Sequence, residues 1–297
     1  MFEELKKYGI VLENVSLKTY NTYRIDVSCK YMLHPTSYEK VKEFLKYANN
    51  NNNVSYFILG NGSNVILADN FFDGVVVKLD QLKKILYNEC FVTVGAGVML
   101  NFLARDIIEH GLSGLEWASG IPGTIGGSIY GNAEAYKTAI FDNLETVTYI
   151  TPNLEIKTSK KKELFYNYRT SYFKENPGNV ILEATFSFNQ GDKEHSLAII
   201  KDRFDRRLAT QPLEYPSAGS VFRNPSLTLP AGKLIDDLGL KGQKVNDAMV
   251  SVKHANFIIN LGNATGKDIR NLIQLVHDRV KAKYNIDLIL EQEIKDW

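Results

Sequence analysis

The 297-residue sequence predicts an α+β fold in both halves of the chain. Three observations carry that expectation. Apolar residues recur at helical spacing in several windows, short β-type runs are interspersed among them, and neither glycine-rich loop follows the GxGxxG or GxxxxGK[ST] pattern of the standard nucleotide folds. A helix is expected over residues 36–50, where Thr36 and Glu39 offer a capping box and Val41, Phe44, Leu45 and Ala48 form one stripe. The asparagine run 49–53 ends it as a solvated loop. Residues 74–79 and 91–94 read as strands. Leu100, Leu103, Ala104 and Ile107 make a short helix that Gly111 stops as its C′ residue. Further β-type runs follow at 146–150, 155–158 and 180–188.

Beyond Gln190-Gly191-Asp192 the pattern changes to a long amphipathic helix stopped at Gln211-Pro212. Leu197, Ile200, Phe204 and Leu208 share one of its faces, with Lys201, Asp202, Arg203 and Arg206 elsewhere. A domain boundary is therefore placed at 192/193. The last third carries a short helix (Leu234, Ile235 and Leu238, then Gly239) and a strand at 256–260. A longer helix opens at Thr265-x-x-Asp268 and buries Ile269, Leu272, Ile273, Val276 and Val280; a terminal strand covers 286–294.

Composition narrows the function classes. With 35 basic and 34 acidic residues, the net charge of +1 gives no electrostatic reason to expect nucleic acid or a membrane surface. No apolar run approaches the roughly 18 residues of a membrane span, and the charged N-terminus lacks a signal-peptide core. Cys29 and Cys90 form no CxxC, and the five histidines show no ligand spacing, so no metal site is expected. A reducing cytosol is the expected compartment.

Seven of the 21 glycines fall between Gly111 and Gly131, where average usage of about 7% would place one or two. With Thr124, Ser128 and Asn132 interleaved, this run suits main-chain N–H groups closing around phosphate oxygens; a set of tight surface turns is the alternative. A second loop, Gly60-Asn61-Gly62-Ser63-Asn64, lies between the apolar runs 56–59 and 65–67. Two such loops can clamp one extended dinucleotide. The candidate cofactor contacts are Gly60, Asn61, Gly62, Ser63, Asn64, Ser119, Gly120, Pro122, Gly123, Thr124, Gly126, Gly127, Gly131 and Asn132.

Three further segments hold polar residues that a core would not choose. Arg169, among Tyr166, Tyr168 and Tyr172, offers an always-charged fork for a carboxylate or phosphate, or else rests on a surface aromatic cluster. Ser220 in SAGSVFRNP is flanked by small residues, with Asn224 four positions on; a turn serine is the alternative, and the string is not GxSxG. In the terminal strand, period-two alternation sets Asp287, Ile289, Glu291 and Glu293 against Leu288, Leu290, Gln292 and Ile294. Glu293 then projects into a cleft or stands on an exposed edge.

From about Thr19 to Glu293 the sequence resembles the UDP-N-acetylenolpyruvoylglucosamine reductase (MurB) family, flavoenzymes of peptidoglycan precursor synthesis. The matching strings are NTYRIDV, LGNGSNVIL, VGAG, GLEWASGIPGTIGGSIYGNAEAY, YRTSYF, SAGSVFRNP, AGKLID, KHANFIIN and LEQEI. The resemblance implies a vanillyl-alcohol-oxidase-type FAD-binding region over 1–192, built of two α+β subdomains (about 1–80 and 81–192). A smaller α+β substrate domain, 193–297, follows, its last strand (286–295) returning toward the active site. It also implies non-covalent FAD, NADPH as reductant, a UDP-sugar substrate, a cytoplasmic monomer, and no nucleic-acid or membrane partner. Carried over by position, Arg169, Ser220 and Glu293 are the catalytic residues, and Tyr168 and Asn224 are substrate contacts; Arg207, which the long helix carries toward the serine segment, binds diphosphate or else lies on a solvated helix face. NADPH would reduce the flavin and leave, and the enolpyruvyl sugar nucleotide would then accept the hydride at its methylene carbon. Arg169 and Glu293 would polarise its carboxylate while Ser220 protonates the neighbouring carbon. Only 28 positions separate Asp192 from Ser220, which implies the family's second type, without an extra tyrosine-bearing loop. The alternatives are a flavin oxidase of the same superfamily, for which His34 is the one N-terminal candidate for covalent attachment, and a non-catalytic sugar-nucleotide binding protein.

Overall fold

The computed structural model describes residues 1–51 and 54–297. Two compact units emerge, neither continuous in sequence. The first comprises Met1–Glu13, Tyr31–Asn61 and Asp73–Phe204, and the second Asn14–Lys30, Gly62–Phe72 and Asp205–Trp297. The division therefore differs from the single cut expected at 192/193. Segments 14–30 and 62–72 pack with C-terminal residues, and the late boundary falls inside the long helix.

The first unit is built on a five-stranded antiparallel sheet in the order Ile156–Lys160, Leu144–Ile150, Val180–Ser187, Phe91–Gly95, Ile85–Asn88. Alternation sets its inner face: Val180–Ser187 buries alternate side chains along its second half, and Ala184 and Phe186 stand opposite Val94 and Val92. The helix Leu100–Glu109 contributes the expected Leu100, Leu103, Ala104 and Ile107 to this core, with Phe141, Tyr149 and Phe186. A fully buried phenylalanine of this kind is worth about 2–3 kcal/mol over an exposed one. Gly111 has φ +72°, as a C′ residue requires.

A four-stranded sheet, in the order Gly9–Ser16, Ser28–Pro35, Phe71–Val77, Tyr56–Ile58, has residues 9–13, 31–35 and 73–77 in the first unit, and its last pair is parallel. The helix Tyr38–Asn50 buries Val41, Phe44, Leu45 and Ala48 against its side of the core, as the periodicity predicts. Its cap is Ser37 rather than Thr36: Ser37 has extended backbone and its hydroxyl accepts from Lys40 N at 3.2 Å. The helix runs through Asn49 and Asn50; the rest of the expected asparagine loop, 52–53, lies outside the described residues.

The second unit holds a three-stranded antiparallel sheet, Lys244–Val245, Ala248–Val250 and Ile258–Asn260, with the helix Gly266–Tyr284 beside it. Thr265 and Asp268 form the expected reciprocal capping box, and all five expected apolar positions are buried. The expected terminal strand is shorter than 286–294. Regular pairing covers Glu293–Lys295 alone, parallel to Val65–Leu67, although upstream Leu288 and Gln292 are buried and Ile289 is exposed, as alternation requires.

The long helix Lys193–Thr210 forms, but its expected face is corrected. Of the four apolar residues only Ile200 is buried; Leu197, Phe204 and Leu208 are exposed. Ser196, one turn before Ile200, is the other buried position, and its hydroxyl donates to Glu116 Oε1 at 2.7 Å. Both cysteines are free thiols. Among the described residues no helix is long and apolar enough to cross a membrane, and no metal-ligating cluster occurs.

Candidate active site

In the first unit the two glycine-rich segments lie against each other. The chain leaves the Tyr56–Ile58 strand so that a Cβ on Gly60 would come within 3.0 Å of Thr124 Oγ1. Asn61 Nδ2 donates to the carbonyl of Pro122 at 2.7 Å. The second segment is itself anchored, since Ile125 and Gly126 donate to the carbonyls of Val98 and Ala96 at 2.8 and 2.9 Å. Thr124 caps the Ile125–Tyr130 helix, accepting from Gly127 N at 3.2 Å. The amides of Gly126 and Gly127 are thus already engaged by protein acceptors. Ser128 Oγ, Asn132 Oδ1 and Trp117 Nε1 are buried and have no hydrogen-bond partner among the described residues. Buried polar atoms are rarely left so, and these three have hydrogen-bonding capacity that a ligand or water could satisfy.

Beside this cradle, the buried Lys78 donates through Nζ to the carbonyl of Gly60. Burial pushes its ammonium below the usual lysine range, with Asp80 acting against the shift. Burial acts on the Asp80 carboxyl too, but His34, with Nδ1 at 2.8 Å, and Lys78 hold it below its ordinary value.

Arg169 sits in a two-residue turn with Tyr168, between Tyr166–Asn167 and Thr170–Ser171. Its φ of 55° is left-handed, a strained conformation for a non-glycine residue. The guanidinium carbon lies 5.6 Å from the centre of the Tyr168 ring, within cation–π range. The feet of the hairpin are tied to the last residue of the Ile125–Tyr130 helix and to the turn after it: Ser171 Oγ donates to Tyr130 O at 2.7 Å, and Asn132 Nδ2 to Asn167 O at 2.8 Å.

Ser220 and Glu293 belong to the second unit, on neighbouring stretches of chain. Glu291 N donates to Val221 O at 2.8 Å and Arg223 N to Ile289 O at 2.9 Å, laying the serine segment along the terminal one. On its other side Ser220 bridges Phe257, and Asn256 closes around Phe222 with its side-chain oxygen and nitrogen at 3.0 and 2.8 Å. Gly219, with φ +76°, makes the turn into Ser220. Asn64 holds the glutamate strand, accepting from Glu293 N at 2.8 Å and donating through Nδ2 to Glu291 O at 3.1 Å. Gln292, buried between them, donates to the carbonyls of Ala218 and Gly219 and accepts from Tyr23.

Of the expected substrate contacts, Tyr168 is partly exposed and Arg207 half-buried near the end of its helix. Asn224 accepts through Oδ1 from Ala231 N at 3.1 Å, capping the Ala231–Asp237 helix. Sequence reasoning missed Lys78, Asn256, Gln292 and Tyr23. The last three lie inside the matching strings KHANFIIN, LEQEI and NTYRIDV; Asn256, a polar residue beside the apolar run 257–259, carried a local signal, whereas Gln292 and Tyr23 stand among polar neighbours and carried none.

Residues 211–295 match the family model described as UDP-N-acetylenolpyruvoylglucosamine reductase, C-terminal domain, and residues 29–159 match an FAD binding domain. A UDP-N-acetylenolpyruvoylglucosamine reductase of Clostridium novyi (strain NT) is 42% identical, over 96% of this chain and 92% of its own. That of Clostridium tetani (strain Massachusetts / E88) is 40% identical, over 95% and 91%. The crystal structure of UDP-N-acetylenolpyruvylglucosamine reductase (MurB) from Thermus caldophilus matches with a TM-score of 0.82 at 31% identity, covering 97% of this chain and 100% of that one. Similarity this even along both lengths assigns the α+β fold and the family together: the chain belongs to the UDP-N-acetylenolpyruvoylglucosamine reductases.

Proposed function

We propose that this chain reduces the enolpyruvyl group of UDP-N-acetylglucosamine enolpyruvate to the lactyl ether of UDP-N-acetylmuramate, with NADPH as reductant and non-covalent FAD as carrier. The observation that carries this reading is the junction of the serine segment with the LEQEI segment, which sets Ser220 and Glu293 on adjoining stretches of one unit. When bound, FAD supplies the hydride for the methylene carbon. The first unit fits that group: Gly60 has no Cβ where Thr124 approaches, and Ser128 Oγ and Asn132 Oδ1 are buried with hydrogen-bonding capacity to spare. Asn61, Ser119, Gly120, Pro122, Gly123 and Thr124 would line its phosphates, with Gly62, Ser63, Asn64 and Gly131 completing the set. Gly126 and Gly127 would serve by packing and capping.

Each proposed catalytic side chain suits its task. Arg169 is charged at any working pH and holds the substrate carboxylate in a planar fork. Donors aimed at developing charge are worth about 3–4 kcal/mol each. Glu293 polarises the same carboxylate while sharing a proton or sitting beside a cation, because two bare carboxylates repel. Ser220 Oγ gives its proton to the carbon next to the carboxylate, where placement substitutes for acidity. Tyr168 steadies the Arg169 fork, Asn224 offers its Nδ2 group to the sugar nucleotide, and Arg207 binds diphosphate. The helix Lys193–Thr210 takes up most of the span between Asp192 and Ser220, which supports the family's second type, without the tyrosine loop; the enzyme works as a cytoplasmic monomer.

The test is anaerobic. NADPH should bleach the flavin band of the purified protein, and the enolpyruvyl sugar nucleotide should restore it with one lactyl ether formed per flavin. A band that stays bleached contradicts the reading. Acid precipitation should release free FAD and leave a colourless pellet, since His34 is buried and bound to Asp80.

A further inference from the structure

Backbone pairing joins the serine and glutamate segments, and one side chain adds a bond that backbone pairing does not make. Gln292 Nε2 donates to the carbonyls of Ala218 at 3.1 Å and Gly219 at 3.3 Å, the two residues before Ser220. Its Oε1 accepts from the Tyr23 hydroxyl at 3.0 Å. Carbonyls only accept, so the amide cannot flip, and the Tyr23 hydroxyl must be the donor. Gln292 is 3% exposed and Tyr23 fully buried; Tyr23 is fixed in turn by Asn260 Nδ2, which donates to its carbonyl at 2.9 Å. Burial pushes the Tyr23 phenol well above its ordinary value, so it remains a donor throughout the working pH range. Ala218 is buried, but at Gly219 a Cβ would meet nothing within 4 Å, so Gly219 itself makes no side-chain packing contact in the turn before Ser220.

We infer that Gln292 and Tyr23 are positioning residues: together they hold the carbonyls of Ala218 and Gly219 and so set the Ser220 hydroxyl in register with Glu293, the residue next to Gln292. The inference rests on the proposed role of Ser220 as proton donor. In this chain, then, the LEQEI segment carries two functions on opposite faces, with Glu293 toward substrate and Gln292 toward the serine turn.

The test compares Q292L, Y23F, the Y23F/Q292L pair, S220A and S220A/Q292L in the FAD-loaded protein. The single changes each strand buried polar groups and should lower the urea midpoint; adding Y23F to Q292L should recover the part due to the stranded Tyr23 hydroxyl and leave the part due to the two carbonyls. The rate should part from stability. Reoxidation of reduced flavin by the enolpyruvyl substrate should slow by about 10- to 100-fold in Q292L and stay slow in the pair, because the two carbonyls are still unheld. Flavin reduction by NADPH, the dissociation constant for FAD and substrate KM should stay near parent values. In the S220A background, Q292L should add no further slowing. Recovery of rate along with stability in the pair, or additive slowing in S220A/Q292L, would overturn the positioning role. Fast reoxidation in S220A would overturn the reading of Ser220, and the inference with it.

Discussion

At Gly62 the backbone leaves no room for a side chain. Its φ is +61°, and a Cβ would overlap the carbonyl oxygen of Tyr20 and lie 2.8 Å from Asn21 Cα. The approach is useful, because Gly62 O accepts from Thr22 N at 3.2 Å and ties the NTYRIDV segment to the glycine loop. Gly62→Ala adds both strain and overlap, so it should destabilise the protein by about 2–4 kcal/mol in urea unfolding. A change within about 0.5 kcal/mol would contradict the packing described. The motif strings singled out Arg169, Ser220 and Glu293 as candidate positions. What single residues do for one another was not legible: Asn256 and Gln292 read as ordinary strand residues until long-range pairing sets them beside the serine turn.

Helices were readable where periodicity and end signals agree. The Thr265–Asp268 box is local chemistry: Thr265 Oγ1 accepts from Asp268 N at 3.1 Å, and Asp268 Oδ2 from Thr265 N at 2.9 Å. Burial works against the Asp268 carboxylate, yet these Thr265 donors and Asn246 hold it below its ordinary value. Thr265→Ala should cost about 1 kcal/mol in urea unfolding, and loss of a few tenths or less would show that the cap contributes little. Readings went astray where neighbours decide. Ser37, not Thr36, is the cap: the helix begins at Tyr38, and the Ser37 hydroxyl accepts from Lys40 N. Three of the four apolar residues expected to share one face of the Lys193–Thr210 helix are exposed, since spacing defines a face without saying what covers it. The terminal strand was too long on paper because Leu290 bridges Phe222 before regular pairing begins at Glu293.

The same helix Gly266–Tyr284 carries a pH-dependent contact near its end. His277 Nδ1 lies 3.1 Å from Asp278 Oδ1, and Nε2 lies 2.6 Å from Asp287 Oδ1; Lys281 also pairs with Asp287, at 2.9 Å. The Asp278 bond, with help from Asp287 and against burial, raises the ring above its ordinary 6.5. A raised folded value means the contact is fully stabilising below the unfolded pKa and is lost as pH rises through the folded one. The urea midpoint of the parent should therefore exceed that of His277→Gln at about pH 6, with the gap closing by about pH 8.5. A gap independent of pH would rule this out.

For the chain taken entire, α+β character was evident from its alternating signals, but the composition of the two units was not. Residues 14–30 and 62–72 join the C-terminal portion through pairings such as Val65 with Glu293, across more than two hundred positions of sequence, and no local pattern announces such a partner. A separate pairing, of residues 221–223 with 289–291, sets the serine and glutamate segments side by side, and the proposed chemistry assigns both to the second half of the catalytic cycle. The most direct measurement is stopped-flow kinetics of Ser220→Ala in each half separately. Flavin reduction by NADPH should keep the parent rate, while reoxidation by the enolpyruvyl sugar nucleotide should fall by about 100-fold or more. Equal slowing of both halves, or none in the second, would contradict the assignment.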